Sequence, residues 1–139
     1  MIRGDEPNLI LVIDGNPLLR VLTGYGLESL GWQALLAADV ASGTEMFRKR
    51  GDRIAAVVLD LQTAAGADEH RVLRDLRSLR RDVPLIVCGN DASAARRSSP
   101  APRDADRLPT PFSFDELGQV LQRAVRRCAF DGSGAVAEG

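Results

Sequence analysis

Two aspartates stand where a carboxylate can do chemistry. "LILVID" carries a short apolar run into Asp14, and "IAAVVLD" carries a second run into Asp60. Both runs are continuous and rich in branched residues, the pattern of strands covered on both faces in a parallel sheet. In open α/β sheets ligands bind at the carboxyl ends of the strands. If these two strands are neighbours, the carboxylates come within several ångströms of each other and repel unless a cation lies between them. A hard divalent ion such as Mg²⁺ is the natural guest. The plainer reading of either residue is a solvated carboxylate, or one that caps the following helix.

The residues after Asp14 carry conflicting signals. Asp14-Gly15 between apolar runs suggests a hairpin turn, whereas Asn16-Pro17 suggests a helix start, with Asn16 as cap and Pro17 as first helical residue. No strand of matching pattern follows, so the junction reads as strand to helix. Other chemistry is poorly supplied. His70 is the only histidine, and Cys88 and Cys128 stand in no metal-like spacing. Zinc, which needs about four N or S ligands, is excluded, and the two thiols read as buried. His70 reads as a surface residue. Lys49 is the only lysine among 18 basic residues, so chemistry that needs a lysine has one candidate.

The elements that must position the two acids alternate in type. Strands are expected at 9–13, 32–38 (begun by Trp32), 54–60 and 83–89, with a short last strand in "RLPTPF", 107–112. The first helix follows Pro17, with Leu18, Leu19, Leu22, Tyr25 and Leu30 at roughly helical spacing and Gly31 closing it. Gly24 and Gly26 inside it each cost about 1 kcal/mol relative to Ala, which close packing would explain. A second helix covers 40–50 with Ser42 as cap, and a third covers 68–80 with Val72, Leu73, Leu76 and Leu79 on one face. Pro100 and Pro102 forbid a helix through the second half of "NDASAARRSSPAPRDAD", so a fourth helix is shortened or disrupted. Ser113 and Glu116 form a capping box for a last helix whose apolar face runs from Leu117 to Cys128. Strand–helix alternation argues a doubly wound parallel sheet, with a domain at 8–128 and flexible termini at 1–7 and 129–139.

The chain has 139 residues and a formal net charge of −1, which fits one domain with no field favouring nucleic acid or membrane. The arginine runs "RRD", "ARR" and "VRR" lack the context for nucleic-acid recognition and read as solvated faces. No apolar run approaches the roughly 20 residues that span a bilayer, and "MIRGDEPN" does not resemble a signal peptide. A cytoplasmic location is expected.

Taken together, "ILVID" followed by Asn-Pro, "VVLDLQ", "VPLIVCGND" and "LPTPFSFDEL" resemble the receiver domain of two-component response regulators over residues 8–127. The resemblance implies a flavodoxin-like five-stranded parallel sheet of order 2-1-3-4-5 and a non-enzymatic role in phosphorelay signalling. It places Asp60 at the phospho-acceptor position. It implies Mg²⁺ held by Asp14, Asp60 and the backbone carbonyl of Gln62. Partners would be a histidine kinase, a phosphotransfer protein or another signalling protein, with weak homodimers. The chain reads as a stand-alone receiver or a piece of a longer protein.

Several supporting positions depart from the family pattern. The second metal-binding acid is Gly15. The hydroxyl that ends the fourth strand is Gly89, the lysine before proline is Thr110, and the aromatic switch residue is Arg107. Preorganised electrostatic contacts of this kind are worth about 3 to 4 kcal/mol each in other enzymes. Lys49 lies on the wrong helix to substitute, and Arg107 at an odd strand offset from Thr110 points to the opposite face. Asn16, Glu69 and Asp91 could partly restore a polar site. Mg²⁺ binding is therefore expected to be weak. Three readings compete: a degenerate receiver acting as an interaction module, a fully phosphorylatable switch, and a flavodoxin-like domain for a small anion or nucleotide. The proline-broken segment at 98–102 is expected to remodel the face that the family uses for partners. The third reading is disfavoured because "DGNP" lacks a phosphate-binding glycine pattern.

Overall fold

The computed structural model describes residues 8–60, 62–63, 69–89 and 105–138, with backbone alone at 69–70 and 128–138. Strand β1 (Leu9–Ile13) is buried at every position. Its side chains alternate between two cores, as the two-residue period of a strand requires. Leu9, Leu11 and Ile13 enter one core, and Ile10 and Val12 the other. Around β1 lie β2 (Gln33–Ala37), β3 (Ile54–Asp60), β4 (Leu85–Cys88) and β5 (Ala105–Leu108). All pairings are parallel, and the order is β2-β1-β3-β4-β5. The sheet is thus the expected flavodoxin-like one.

Helices α1 (Pro17–Ser29) and α4 (Phe114–Glu138) cover one face, and α2 (Val40–Arg50) and α3 (Glu69–Leu79) the other. Local chemistry starts most of them where the sequence indicates. Asn16 accepts a hydrogen bond from the Leu19 amide at 3.1 Å and Pro17 follows it. Gly31, at φ 97°, takes the left-handed turn after α1 that a side chain would resist. The Ser113–Glu116 capping box is reciprocal: Ser113 Oγ accepts from the Glu116 amide at 3.0 Å, and Glu116 Oε1 from the Ser113 amide at 2.8 Å.

Several boundaries differ from expectation. The cap of α2 is Asp39, whose carboxylate accepts from the Ser42 amide at 2.7 Å, so Ser42 is inside the helix. The last strand lies at Ala105–Leu108, earlier than "RLPTPF", because Pro109 and Pro111 have no N–H to give a ladder. The last helix runs on to Glu138 where a tail was expected. No proline interrupts it, and the glycines at 132 and 134 each cost only about 1 kcal/mol. The expected disruption of a fourth helix, at 90–104, lies outside the described residues.

Helix α1 is turned against its own apolar pattern. Leu18 and Tyr25 are each 66% exposed, and Leu19, Val21 and Leu22 are also exposed. The buried face is Thr23, Gly24, Gly26 and Leu27. Small residues let the helix approach closely: a Cβ at Gly26 would lie 2.6 Å from the Phe114 ring of α4, and one at Gly24 3.4 Å from Leu36 of β2. Among the described residues no helix is long and apolar enough to cross a membrane.

Candidate functional site

Strand register brings the two aspartates together. Ile13 of β1 pairs with Leu59 of β3, so Asp14 and Asp60 are the next residues on adjacent strands, and Asp60 in turn pairs with Cys88. Asp14 continues the row of Ile10 and Val12, and Asp60 that of Val58, all on the α1/α4 face. Asp14 is only 8% exposed. One of its carboxylate oxygens accepts from the Asn16 amide at 2.9 Å, and its backbone carbonyl accepts from Arg20 Nη1 at 2.9 Å. Burial is the strongest influence on its carboxyl and pushes the pKa up. The Asn16 amide opposes this, the Asp60 charge adds to it, and Arg20 opposes it again. The register makes Asp14 and Asp60 neighbours at the ends of adjacent strands.

Asp60 has an intramolecular partner that sequence reading does not reveal. Its Oδ2 accepts from both the Thr63 amide, at 3.0 Å, and the Thr63 hydroxyl, at 3.1 Å. The Thr63 amide also closes a turn onto the Asp60 carbonyl at 3.1 Å. The same hydroxyl accepts from the Gly15 amide at 2.7 Å. Thr63 thus links the strand-end acid to the position where the family pattern has its second acid. The local half of this arrangement, Asp followed three residues later by Thr, is a recognisable turn pattern. The other half spans 48 residues and has no sequence signal.

The remaining candidates are scattered. Gln62 lies in the exposed turn between Asp60 and Thr63. Gly89 has only its backbone to offer and donates to the Leu108 carbonyl at 3.2 Å. Thr110 lines a cavity of about 350 Å³ together with Asp14, Asp60 and Cys88, and its peptide bond to Pro111 is cis. Arg107 lies on the opposite face from that cavity: its neighbour Asp106 turns to α4 and pairs with Arg127 at 2.7 Å, so the next residue points away. Lys49 is exposed near the carboxyl end of α2, where it lines a different surface depression with Gly51 and Asp52. Asn16 commits its side-chain oxygen to the helix cap. Asp91 and the side chains of Glu69, His70 and Cys128 lie outside the described residues. The Cys88 thiol is buried, and burial, reinforced by the charges of Asp60 and then Asp14, pushes its pKa up to about 12. It stays protonated near neutral pH, which makes it a poor nucleophile.

The donor set fits a cation only sparingly. Asp14 and Asp60 each keep one carboxylate oxygen without a hydrogen bond among the described residues. No group of three His, Cys, Asp or Glu side chains among those residues could hold a metal. Mg²⁺ requires six oxygens and often keeps several waters, with only one or two carboxylates from the protein. Two free oxygens suit such a largely hydrated ion and not a fully protein-coordinated one.

A five-stranded parallel sheet in this order defines the flavodoxin-like fold, here with paired acids at its carboxyl edge. No protein-family model matches the chain. It is 34% identical over 119 residues to the photosynthetic apparatus regulatory protein RegA of Rhodovulum sulfidophilum, covering 85% of this chain and 63% of that protein. It superposes on a sensor protein from Polaromonas sp. JS666 with a TM-score of 0.77 at 25% identity, over 87% of this chain and 98% of the other. A receiver domain of a Pseudomonas aeruginosa PAO1 sensor histidine kinase, with magnesium coordinated in its active-site cleft, gives a TM-score of 0.71 at 25% identity, over 85% and 97% of the two chains. The chain therefore has the receiver-domain fold and is similar in sequence to proteins of two-component signalling. It spans 51% and 63% of the lengths of the two curated regulatory proteins it matches.

Proposed function

We propose that this receiver serves chiefly as a protein-interaction module of two-component signalling, with Asp60 at the phospho-acceptor position and switching by phosphoryl transfer weak or absent. The observation that carries this reading is Thr63, whose amide and hydroxyl both occupy Asp60 Oδ2 while the hydroxyl also holds the Gly15 amide. A carboxylate with one oxygen held by two donors is less free to turn toward an incoming phosphorus. The groups that would stabilise the transferring phosphoryl are also missing, with Gly89 and Thr110 in their positions. Asp14 and Asp60 would hold a mostly hydrated Mg²⁺ weakly, and the ion would offset phosphoryl charge when bound. The role is that of a signalling module and not of an enzyme. Its partners are a histidine kinase, a phosphotransfer protein or another signalling protein, in the cytoplasm, with self-association weak. A small-anion site at the same strand ends is disfavoured by two adjacent carboxylates, one of them already hard to ionise.

Incubation with Mg²⁺ and either acetyl phosphate or beryllofluoride tests the reading, followed by intact mass and amide NMR shifts. The expected result is little or no adduct and small shifts at millimolar Mg²⁺. A stoichiometric phospho-adduct that disappears in Asp60→Asn would replace this reading with that of a fully phosphorylatable, Mg²⁺-dependent switch.

A further inference from the structure

The cavity beside the paired acids has features that phosphoryl transfer does not use. At about 350 Å³ it falls in the range of small-molecule sites, about 300 to 1,000 Å³. Its apolar walls include Leu19 and Leu22 of α1, Val58 of β3, and Phe112 and Phe114 at the start of α4. Asp14 and Asp60 supply the charged part of the lining. Such sites typically combine apolar walls with a few convergent polar groups.

The polar groups themselves favour one kind of guest. Thr23 is 8% exposed and lines the cavity, and its hydroxyl has no hydrogen-bond partner among the described residues. The hydroxyl is therefore open to a guest in the cavity. Asp14, equally buried, keeps one carboxylate oxygen without a partner there, as does Asp60. All three groups can accept a hydrogen bond. Arg20 is the cation that acts on Asp14, and its Nη1 is bound to the Asp14 backbone carbonyl. One positive charge against two carboxylates leaves this end of the chamber negative. Thr110 forms part of the wall with a short side chain, so no lysine stem or ammonium from that position enters the space. An anion would be repelled here, and a neutral apolar guest would leave the acceptors unpaired.

We propose that this cavity binds a small organic cation, a primary ammonium on an apolar body, with the ammonium against Asp14 and Asp60 and the body between α1 and the rings of Phe112 and Phe114. An ammonium presents three donors and no acceptor, matching the free oxygens of Asp14 and Asp60 and the Thr23 hydroxyl. The apolar body gains by leaving water for the Leu19, Leu22 and Val58 surfaces. Binding at this site requires no phosphoryl transfer, so it can hold or fail separately from the reading of Asp60.

Phenethylammonium is a suitable probe, with 2-phenylethanol and phenylacetate as its neutral and anionic counterparts. The full chain is titrated with each in the presence of EDTA, and amide NMR shifts are followed. The expected result is saturable shifts at Asp14, Thr23 and Cys88 for the amine, affinity at least about tenfold weaker for the alcohol, and no saturation for the acid. Thr110→Lys places an ammonium in the same chamber and weakens the amine by about tenfold or more. Leu22→Trp fills the chamber from the α1 side and serves as the second variant, with folding of both checked by circular dichroism. Equal affinity for amine and alcohol would overturn the proposal, because the site would then be only an apolar cleft. Undiminished amine binding in a folded variant, or no saturable shift up to on the order of 10 mM amine, would also overturn it.

Discussion

Gly15→Asp restores the acid that the family pattern places beside Asp14, and the structure indicates that the fold will accept it. Gly15 is not in the left-handed region, where Gly31 alone is found among the described residues. A Cβ there would lie 3.4 Å from the Ala38 carbonyl oxygen and 3.5 Å from Thr63 Oγ1, both ordinary contacts. The nearest side-chain group is therefore the hydroxyl that now engages Asp60, and it can rotate toward the new carboxylate. Two unit charges 4 Å apart interact by about 1 kcal/mol in a water-like medium. A divalent ion doubles that figure, so one added carboxylate contributes about 2 kcal/mol, or a roughly 30-fold lower Kd for Mg²⁺. Without metal, three clustered carboxylates repel, and stability should fall by about 1 kcal/mol. Amide NMR titration with Mg²⁺ is the suitable assay. Trp32 fluorescence is not, because Trp32 precedes β2 at the far end of the sheet, about 16 Å away along the length of β1. A folded Gly15→Asp variant with unchanged Mg²⁺ affinity would refute the placement of the ion between Asp14 and Asp60.

Three further outcomes follow from other contacts. Thr63→Ala removes the hydroxyl's bonds to Asp60 and Gly15, so it should cost about 1 kcal/mol in urea unfolding while enlarging the response to Mg²⁺ and beryllofluoride; a smaller response would contradict the blocking role. Asp14 has a folded pKa raised above its ordinary 3.8, so its favourable contribution is complete below 3.8 and is lost as pH rises through the folded value. Asp14→Asn, which can still accept from the Asn16 amide, should therefore stabilise the protein near pH 7 by about 0.5 to 2 kcal/mol, with the gain shrinking toward pH 4 in paired urea melts. Arg80 Nη1 donates to the Gly51 carbonyl at 2.7 Å and the Ile54 carbonyl at 2.5 Å, tying down the entry to β3; Arg80→Ala should lower stability by about 2 kcal/mol, measurable as a lower urea midpoint.

The parts of this molecule that local chemistry determines could be read from the sequence. The apolar runs ending in Asp14 and Asp60 became central strands because only a two-sided core can absorb so many consecutive branched residues. The Asn16-Pro17 start and the Ser113–Glu116 box depend on residues three apart and appear as expected. What could not be read depends on distant partners. "ADRL" has no strand-like apolar pattern and becomes β5 through pairing with β4, which orients Asp106 toward Arg127. Thr63 matters because the fold brings it to Gly15. The cavity arises from how α1 and the start of α4 meet over the sheet, which no single segment encodes.

The inverted packing of α1 bears on how this chain can vary. Its largest apolar residues, Leu18 and Tyr25, face outward, while Gly26 meets the Phe114 ring at a distance that leaves no room for one more carbon. At positions 18, 25 and 26 tolerance to substitution should therefore run opposite to hydrophobicity, whereas Leu27, fully buried on the same helix, must stay apolar. Charged residues at positions 18 and 25 would pass a folding screen that alanine at 26 would fail. Any ranking of variants that equates apolar with essential will misjudge positions 18 and 25, while the glycines of the inner surface stay small beside Leu27.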